Sequence, residues 1–202
     1  MRPESGAPRG VLAGTLAASA LIGCTTAAPP RATPAPASAN PSPTGVDRFL
    51  PLRDGFVLNY WVSTAASAER EQVIFRVERH SSERASLRTG NRTQRLELAP
   101  DGVRLLSGGY LLRAPLALGA EWTGPVGRVR VSAVDTSVDV DAGHFVGCVE
   151  TTEVGEAGPD ERTIVTSYCP DVGITLMRVE AGEREERFEL RSYGPSVDIN
   201  AM

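Results

Sequence analysis

The chain contains no lysine; all 21 of its basic residues are arginine, set against 25 acidic residues for a formal net charge of -4. An acidic balance is poor company for nucleic acid or an anionic bilayer face, both of which attract basic patches, so no nucleic-acid partner is expected. Histidine is nearly as scarce. Only His80 and His144 occur, neither within a spaced metal-binding pattern, and the sequence has no Gly-x-Ser-x-Gly elbow and no phosphate loop. No metal, no cofactor and no catalytic residue is therefore expected. Long apolar runs are missing too. The apolar stretch of residues 10–22 falls short of the roughly 20 residues a membrane-spanning helix needs. At 202 residues the chain has room for one ordinary domain with extensions, and two domains would each be short of core.

What is there begins with an export pattern. Arg2 and Arg9 precede the uncharged, Ala- and Leu-rich residues 10–22, the charged and apolar regions of a secretory signal peptide. That run ends in Leu21-Ile22-Gly23-Cys24, which resembles the lipobox of bacterial lipoproteins. The resemblance implies cleavage after residue 23, a diacylglycerol on the Cys24 sulfur and acylation of the new amine, so a fatty acyl chain such as palmitate and attachment to a membrane are expected. One acyl chain holds a protein only marginally, whereas two or three make a lasting anchor. Thr25 rather than Asp after the cysteine implies, by the same resemblance, the outer membrane facing the periplasm. Losing residues 1–23 removes Arg2, Arg9 and Glu4 and leaves 19 basic against 24 acidic residues. Residues 24–45 then read as a linker. From residue 25 to residue 45 it holds six prolines and no aromatic residue, too little apolar surface to offset chain entropy, which predicts a disordered spacer. Fully extended it reaches about 65 Å.

From residue 46 to residue 195 the texture changes to short alternating runs, leaving residues 196–202 as a tail. The runs cover residues 56–62, 72–78, 95–98, 127–134, 137–141, 145–154, 163–169, 174–179 and 187–193. Val73, Phe75 and Val77 lie on one side with Gln72, Arg76 and Glu78 opposite, and period two over many short segments marks half-buried strands. Turn formers separate them, among them Asp54-Gly55, Gly90-Asn91, Asp101-Gly102, Ala142-Gly143, Gly158-Pro159 and Gly182-Glu183. Short spacers favour hairpins and an antiparallel meander. The expected fold class is all-β, with nine or ten strands in a single curved antiparallel sheet or open barrel packed on its concave side.

Once Cys24 carries lipid, two cysteines remain. If a hairpin folds about Gly158-Pro159, paired residue numbers sum to 317, which sets Cys148 opposite Cys169 at a separation a disulfide spans. In an oxidising envelope the bridge forms, and closing a loop of about 20 residues contributes roughly 3 kcal/mol. A metal pair is the rival, but two thiols without nearby histidines make half a site.

Several segments resemble the TapB-like group of uncharacterised bacterial envelope domains. They are residues 49–55 with Tyr60-Trp61, residues 112–122 (LRAPLALGAEW), Gly143-His144-Phe145 with Cys148, and Tyr168-Cys169-Pro170-Asp171-Val172-Gly173. The resemblance implies fold and carries over no catalytic residue. Asp171 departs from a Pro-Gly-Val-Gly turn, and Pro followed by Asp suits a type I turn.

Other side chains bear weighing. His80 reads as the exposed end of a strand and His144 as part of a hairpin turn, both inert. Asp135, Asp139 and Asp141 have oxygen-ligand spacing for calcium, yet Val138 and Val140 interleave with two of them, as on a strand with a wet carboxylate face. Arginines 76, 79, 84, 88, 92 and 95 suggest an anion site, but Glu71, Glu78, Glu83 and Glu97 mixed among them favour a salt-bridged, solvated face. Tyr60, Trp61 and Trp122 read as core. The expectation is a non-enzymatic, lipid-anchored envelope protein binding an apolar ligand or an envelope protein. A structural or assembly factor is the alternative, and a hydrolase dependent on His144 comes behind it.

Overall fold

The computed structural model describes residues 45–157 and 160–196. The expected signal peptide, Cys24, the expected linker up to residue 44, the expected Gly158-Pro159 turn and the expected tail from residue 197 lie outside the described residues. The described residues form one unit by contact.

The described chain is a short helix, α1 (Val46–Phe49), followed by twelve strands. These are β1 (Phe56–Thr64), β2 (Ser67–Arg79), β3 (Arg84–Thr89), β4 (Arg92–Ala99), β5 (Gly102–Leu105) and β6 (Tyr110–Arg113), then β7 (Glu121–Thr123), β8 (Gly127–Val140), β9 (Gly143–Ala157), β10 (Asp160–Cys169), β11 (Gly173–Ala181) and β12 (Arg184–Pro195). All pairings are antiparallel, in the order β6-β5-β4-β3-β2-β1-β12-β11-β10-β9-β8-β7. Every neighbour in that order is a neighbour in sequence except β1 and β12, whose pairing joins the two halves of the chain. The meander thus curls into a nearly closed barrel with its seam between β6 and β7. The all-β, antiparallel, barrel-like expectation stands, with more strands than the nine or ten expected.

Period-two patterning puts one row of each strand inside. Leu58 opposes Phe75 and Tyr60 opposes Val73, Val77 opposes Leu87, Ala85 opposes Leu96, and Val103 opposes both Leu98 and Leu112. All of these except Val73 join Trp122, Val129, Val131, Val149 and Tyr168 in the core. Leu96, Leu112 and Val131 have no exposed surface. From α1 and the segment after it, Val46, Leu50 and Leu52 enter the same cluster. Helix α1 touches both β5 and β11, which stand half the strand order apart, so it bridges opposite walls of the barrel, with Val46 turned inward and Asp47 and Arg48 facing solvent.

The seam is closed by side chains where no ladder runs. Trp122 of β7 donates its indole N–H to the Tyr110 carbonyl of β6 (3.1 Å), and Tyr168 of β10 donates its hydroxyl to the Leu111 carbonyl (2.9 Å). At one end of the seam Gly109 and Gly124 approach so closely that a Cβ on Gly109 would overlap the backbone of Gly124. Side-chain caps of this kind blunt an open strand edge against pairing with another chain.

One long hairpin bends. The runs at residues 127–134 and 137–141 are a single strand, β8, whose pairing with β9 slips between Val131 and Val138. There Asp135 (φ 55°) and Gly147 (φ 69°) take left-handed backbone conformations, which Gly adopts freely and Asp tolerates. The bend swings the hairpin tip back, so that the Ala142 amide donates to the Leu190 carbonyl (3.0 Å). Val140, Ala142 and Phe145 then pack on Tyr60, Val172 and Leu190.

Candidate functional site

Cys148 and Cys169 meet as the register predicts. β9 and β10 pair with residue numbers summing to 317, from Glu161 opposite Glu156 to Tyr168 opposite Val149. Cys148 and Cys169 are joined by a disulfide with a Cα–Cα distance of 4.2 Å. Both are fully buried beneath Val138, Val140, Phe145 and Leu176, so the bridge lies under the folded-back hairpin and is a staple of the fold. Cys24, the expected lipidation site, lies outside the described residues.

The turn after the disulfide corrects the type I expectation. Asp171 has φ 65°, the left-handed value that the third position of a type II turn requires. Val172 closes the turn by donating its amide N–H to the Cys169 carbonyl (3.3 Å). The physical reason is external support: the Asp171 amide donates to the Arg48 carbonyl (2.6 Å), and the Arg48 guanidinium meets the Asp171 carboxylate at 3.4 Å. Docking on α1 holds Asp where Gly is the ordinary choice.

The carboxylates at 135, 139 and 141 do not converge, and among the described residues no group of three metal-ligating side chains is found. Asp139 lies opposite His144 in the hairpin, its Oδ1 2.6 Å from the His144 Nδ1, with both side chains more than half exposed. Val138 is buried on the other face, as a strand with a wet carboxylate face demands. Asp135 is the exception, sitting in the bend. Of the three large aromatics, Tyr60 and Trp122 are core. Trp61 is not. Its neighbour Tyr60 faces inward, so alternation turns Trp61 outward, where the Arg191 guanidinium stacks on its ring at 4.6 Å. Cation–π stacking of this kind stabilises an exposed aromatic.

Burial and hydrogen bonding fix the inner polar groups. The Tyr60 hydroxyl donates to the Ile174 carbonyl (2.8 Å), and its pKa is pushed well above the usual tyrosine range, first by burial and then by the Tyr168 phenol. Tyr168 is pushed up likewise, by burial and then by the Glu153 charge. Glu153 accepts the amide N–H groups of Val126 (2.6 Å) and Gly127 (2.9 Å), capping the turn between β7 and β8. At the mouth of the β5–β6 hairpin the Arg113 guanidinium, with help from the Tyr110 hydroxyl, holds the Asp101 carboxyl below the ordinary range.

The arrangement with most capacity for chemistry lies on the outer wall over β2, β3 and β4. Cross-strand registers put Glu78 opposite Ser86 and Ser86 opposite Arg95, a polar row pointing away from the core. His80, just past the end of β2, brings its Nε2 to 2.9 Å from the Ser86 Oγ, and the same oxygen lies 3.4 Å from the Glu78 carboxylate. Ser86 is 1 % exposed although its row faces outward, because these partners fold over it. Together with Arg84, Arg88 and Leu106 they line a cleft of about 430 Å³. A second cleft of about 490 Å³ opens at the seam between Arg113, Trp122 and Arg128. His80 is exposed, as expected, but hydrogen-bonded. The expected salt-bridged face is only partly so: Arg88 pairs with Glu78 (3.0 Å), and Arg79 spends its guanidinium on the carbonyls of Leu52, Ser81 and Ser82. The signal for this cleft was the alternation of Arg84, Ser86 and Arg88, short enough to be overlooked as a strand.

No protein-family profile matches the chain, and no curated protein matches it in sequence. The TapB-like resemblance thus rests on the quoted residues alone. Seven chains of solved structures are similar to the chain, two of them as follows. One is a candidate exported protein with a YmcC-like fold from Bacteroides fragilis, with TM-score 0.48 and 10 % identity, covering 70 % of this chain and 96 % of that one. The other is a candidate lipoprotein from Parabacteroides distasonis, with TM-score 0.46 and 11 % identity, covering 72 % of this chain and 98 % of that one.

Proposed function

We propose that this chain is a lipid-anchored protein of the bacterial envelope, tethered through Cys24 to the outer membrane and facing the periplasm. Its barrel is a non-enzymatic binding module that engages its partner on the outer wall. Of the two partner classes that the sequence suggests, an apolar ligand would need a hollow. A protein or polar partner needs only a surface. The observation that carries the choice is the filled interior, in which residues of α1, the following segment and eleven of the twelve strands share one core, with several side chains at zero exposure. The outward cleft of His80, Ser86 and the arginines supplies polar contacts of the kind a specific partner uses.

Two measurements on the full-length chain test the reading. Fed with labelled fatty acid, cells are expected to yield labelled protein that loses its label in the Cys24→Ser variant. Organic extraction of the purified chain is expected to release no stoichiometric apolar molecule beyond the anchor. A lipid held one to one inside the barrel would overturn the outer-wall reading, and an unlabelled chain would overturn the anchor.

A further inference from the structure

We propose that the outward face of β2 to β5 is a binding site for phosphoryl groups, centred on the cleft formed by His80, Arg84, Ser86, Arg88 and Arg95. The inference rests on reading the outer wall as the working surface. Cross-strand pairing places Arg76 and Glu78 of β2, Arg84, Ser86 and Arg88 of β3, Arg95 and Glu97 of β4, and Arg104 of β5 on that one face.

Both carboxylates of the face are already engaged. Glu78 takes Arg88 at 3.0 Å. Glu97 lies opposite Arg84 in the ladder, yet it is gripped instead by Arg104 through both oxygens at 2.9 Å. Among the described residues Arg84 and Arg95 are left without an ion pair. In a chain whose net charge is -4, the cleft itself carries three guanidiniums against one carboxylate, a surplus of two positive charges. Arg95 stands directly opposite Ser86, and Arg84 lies two residues before it on the same face, so the two guanidiniums spring from diagonal neighbours within reach of one ligand.

A carboxylate ligand would answer one of these charges. A phosphate monoester carries about -1.5 to -2 at neutral pH, and its oxygens match the planar donor fork of arginine. Ser86 and His80 form the floor, bonded to each other, and leave the ligand contacts to the guanidiniums above them. At about 430 Å³ the cleft has room for the group that bears the phosphate, and Leu106, half exposed at its rim, offers that group an apolar contact. The phosphoryl could belong to a phospholipid headgroup or to a soluble phosphate ester, which share this chemistry.

The test uses the full-length lipoprotein in phosphatidylcholine nanodiscs, titrated with glycerol 3-phosphate and followed by calorimetry. Saturable binding is expected, weakened about tenfold by Arg84→Gln and by Arg95→Gln, as loss of one charge-assisted contact predicts. Arg128→Gln on β8, paired with Glu121 away from the cleft, is expected to leave binding unchanged. Repeating the titration in discs containing phosphatidic acid separates the sources. Competition assigns the site to the membrane headgroup, and none assigns it to a soluble ester. Absence of saturable binding, or equal binding by the two cleft variants with melting curves unchanged, would overturn the proposal. It would leave the outer-wall reading to its own tests, because the labelling and extraction outcomes do not depend on phosphate.

Discussion

Asp171 shows how one side chain settles a local conformation against its own preference. A non-glycine residue in the left-handed region costs about 1–2 kcal/mol, and Asp meets it with a short polar side chain and two contacts to Arg48. Replacing it with Val adds a branched Cβ at φ 65° and removes the carboxylate. Asp171→Val is therefore expected to lower stability by about 1–2 kcal/mol in urea melts. Asp171→Gly is expected to be near neutral, because relief of strain offsets loss of an exposed ion pair worth little. The reverse order would mean that the ion pair, not the backbone, governs the turn. The same residue marks a limit of sequence reading. Pro-Asp taken alone points to a type I turn, and only the docking of α1, distant in sequence, reverses it.

Among the elements, the β9–β10 hairpin was the most legible. A single turn centre fixed the sum of paired numbers, and two cysteines at the right sum confirmed the pairing. Replacing Cys148 and Cys169 together with Ala is expected to cost roughly 3 kcal/mol, as the closed loop predicts, read as a lowered urea midpoint. A loss below about 1 kcal/mol would place the constraint elsewhere, in the overlying hairpin tip. Strands β3, β5, β6 and β7 escaped the sequence reading for physical reasons. β5, β6 and β7 are only 3 or 4 residues long, too short for a period to declare itself, and β3 offers two buried residues in succession, Ala85 and Ser86, which breaks simple alternation. The bend at Asp135 split β8 into two apparent runs for a similar reason, since left-handed backbone at one position resets the alternation. The short seam strands also depend on one side chain. Trp122 fills the core and donates across the gap, so Trp122→Ala is expected to cost about 3–5 kcal/mol. Amides of β6 and β7 should then exchange with solvent faster than those of β1 and β12, and uniform acceleration across the sheet would deny the seam a separate stability.

At the scale of the whole molecule the absence of lysine becomes an experimental advantage. Between the histidine range and the arginine range, tyrosine phenols are the chief side chains left to titrate in the barrel, because Cys148 and Cys169 are locked in a disulfide. Tyr60 and Tyr168 are both buried, and each is pinned to a backbone carbonyl of a distant strand or turn. Their pKa values are raised by that burial. A phenol whose folded pKa lies above its unfolded value contributes stability that is complete below about pH 10, the ordinary tyrosine range, and is lost as pH climbs toward the folded value. The barrel is thus expected to weaken steeply above that pH, with the phenolate absorbance of these two residues arriving together with loss of the sheet signal in circular dichroism. Replacing both with Phe removes the titration at the expense of two buried hydrogen bonds. The variant should be less stable at neutral pH yet show a flatter decline through the alkaline range, whereas a decline as steep as that of the parent would assign base sensitivity to charge repulsion over the whole acidic surface.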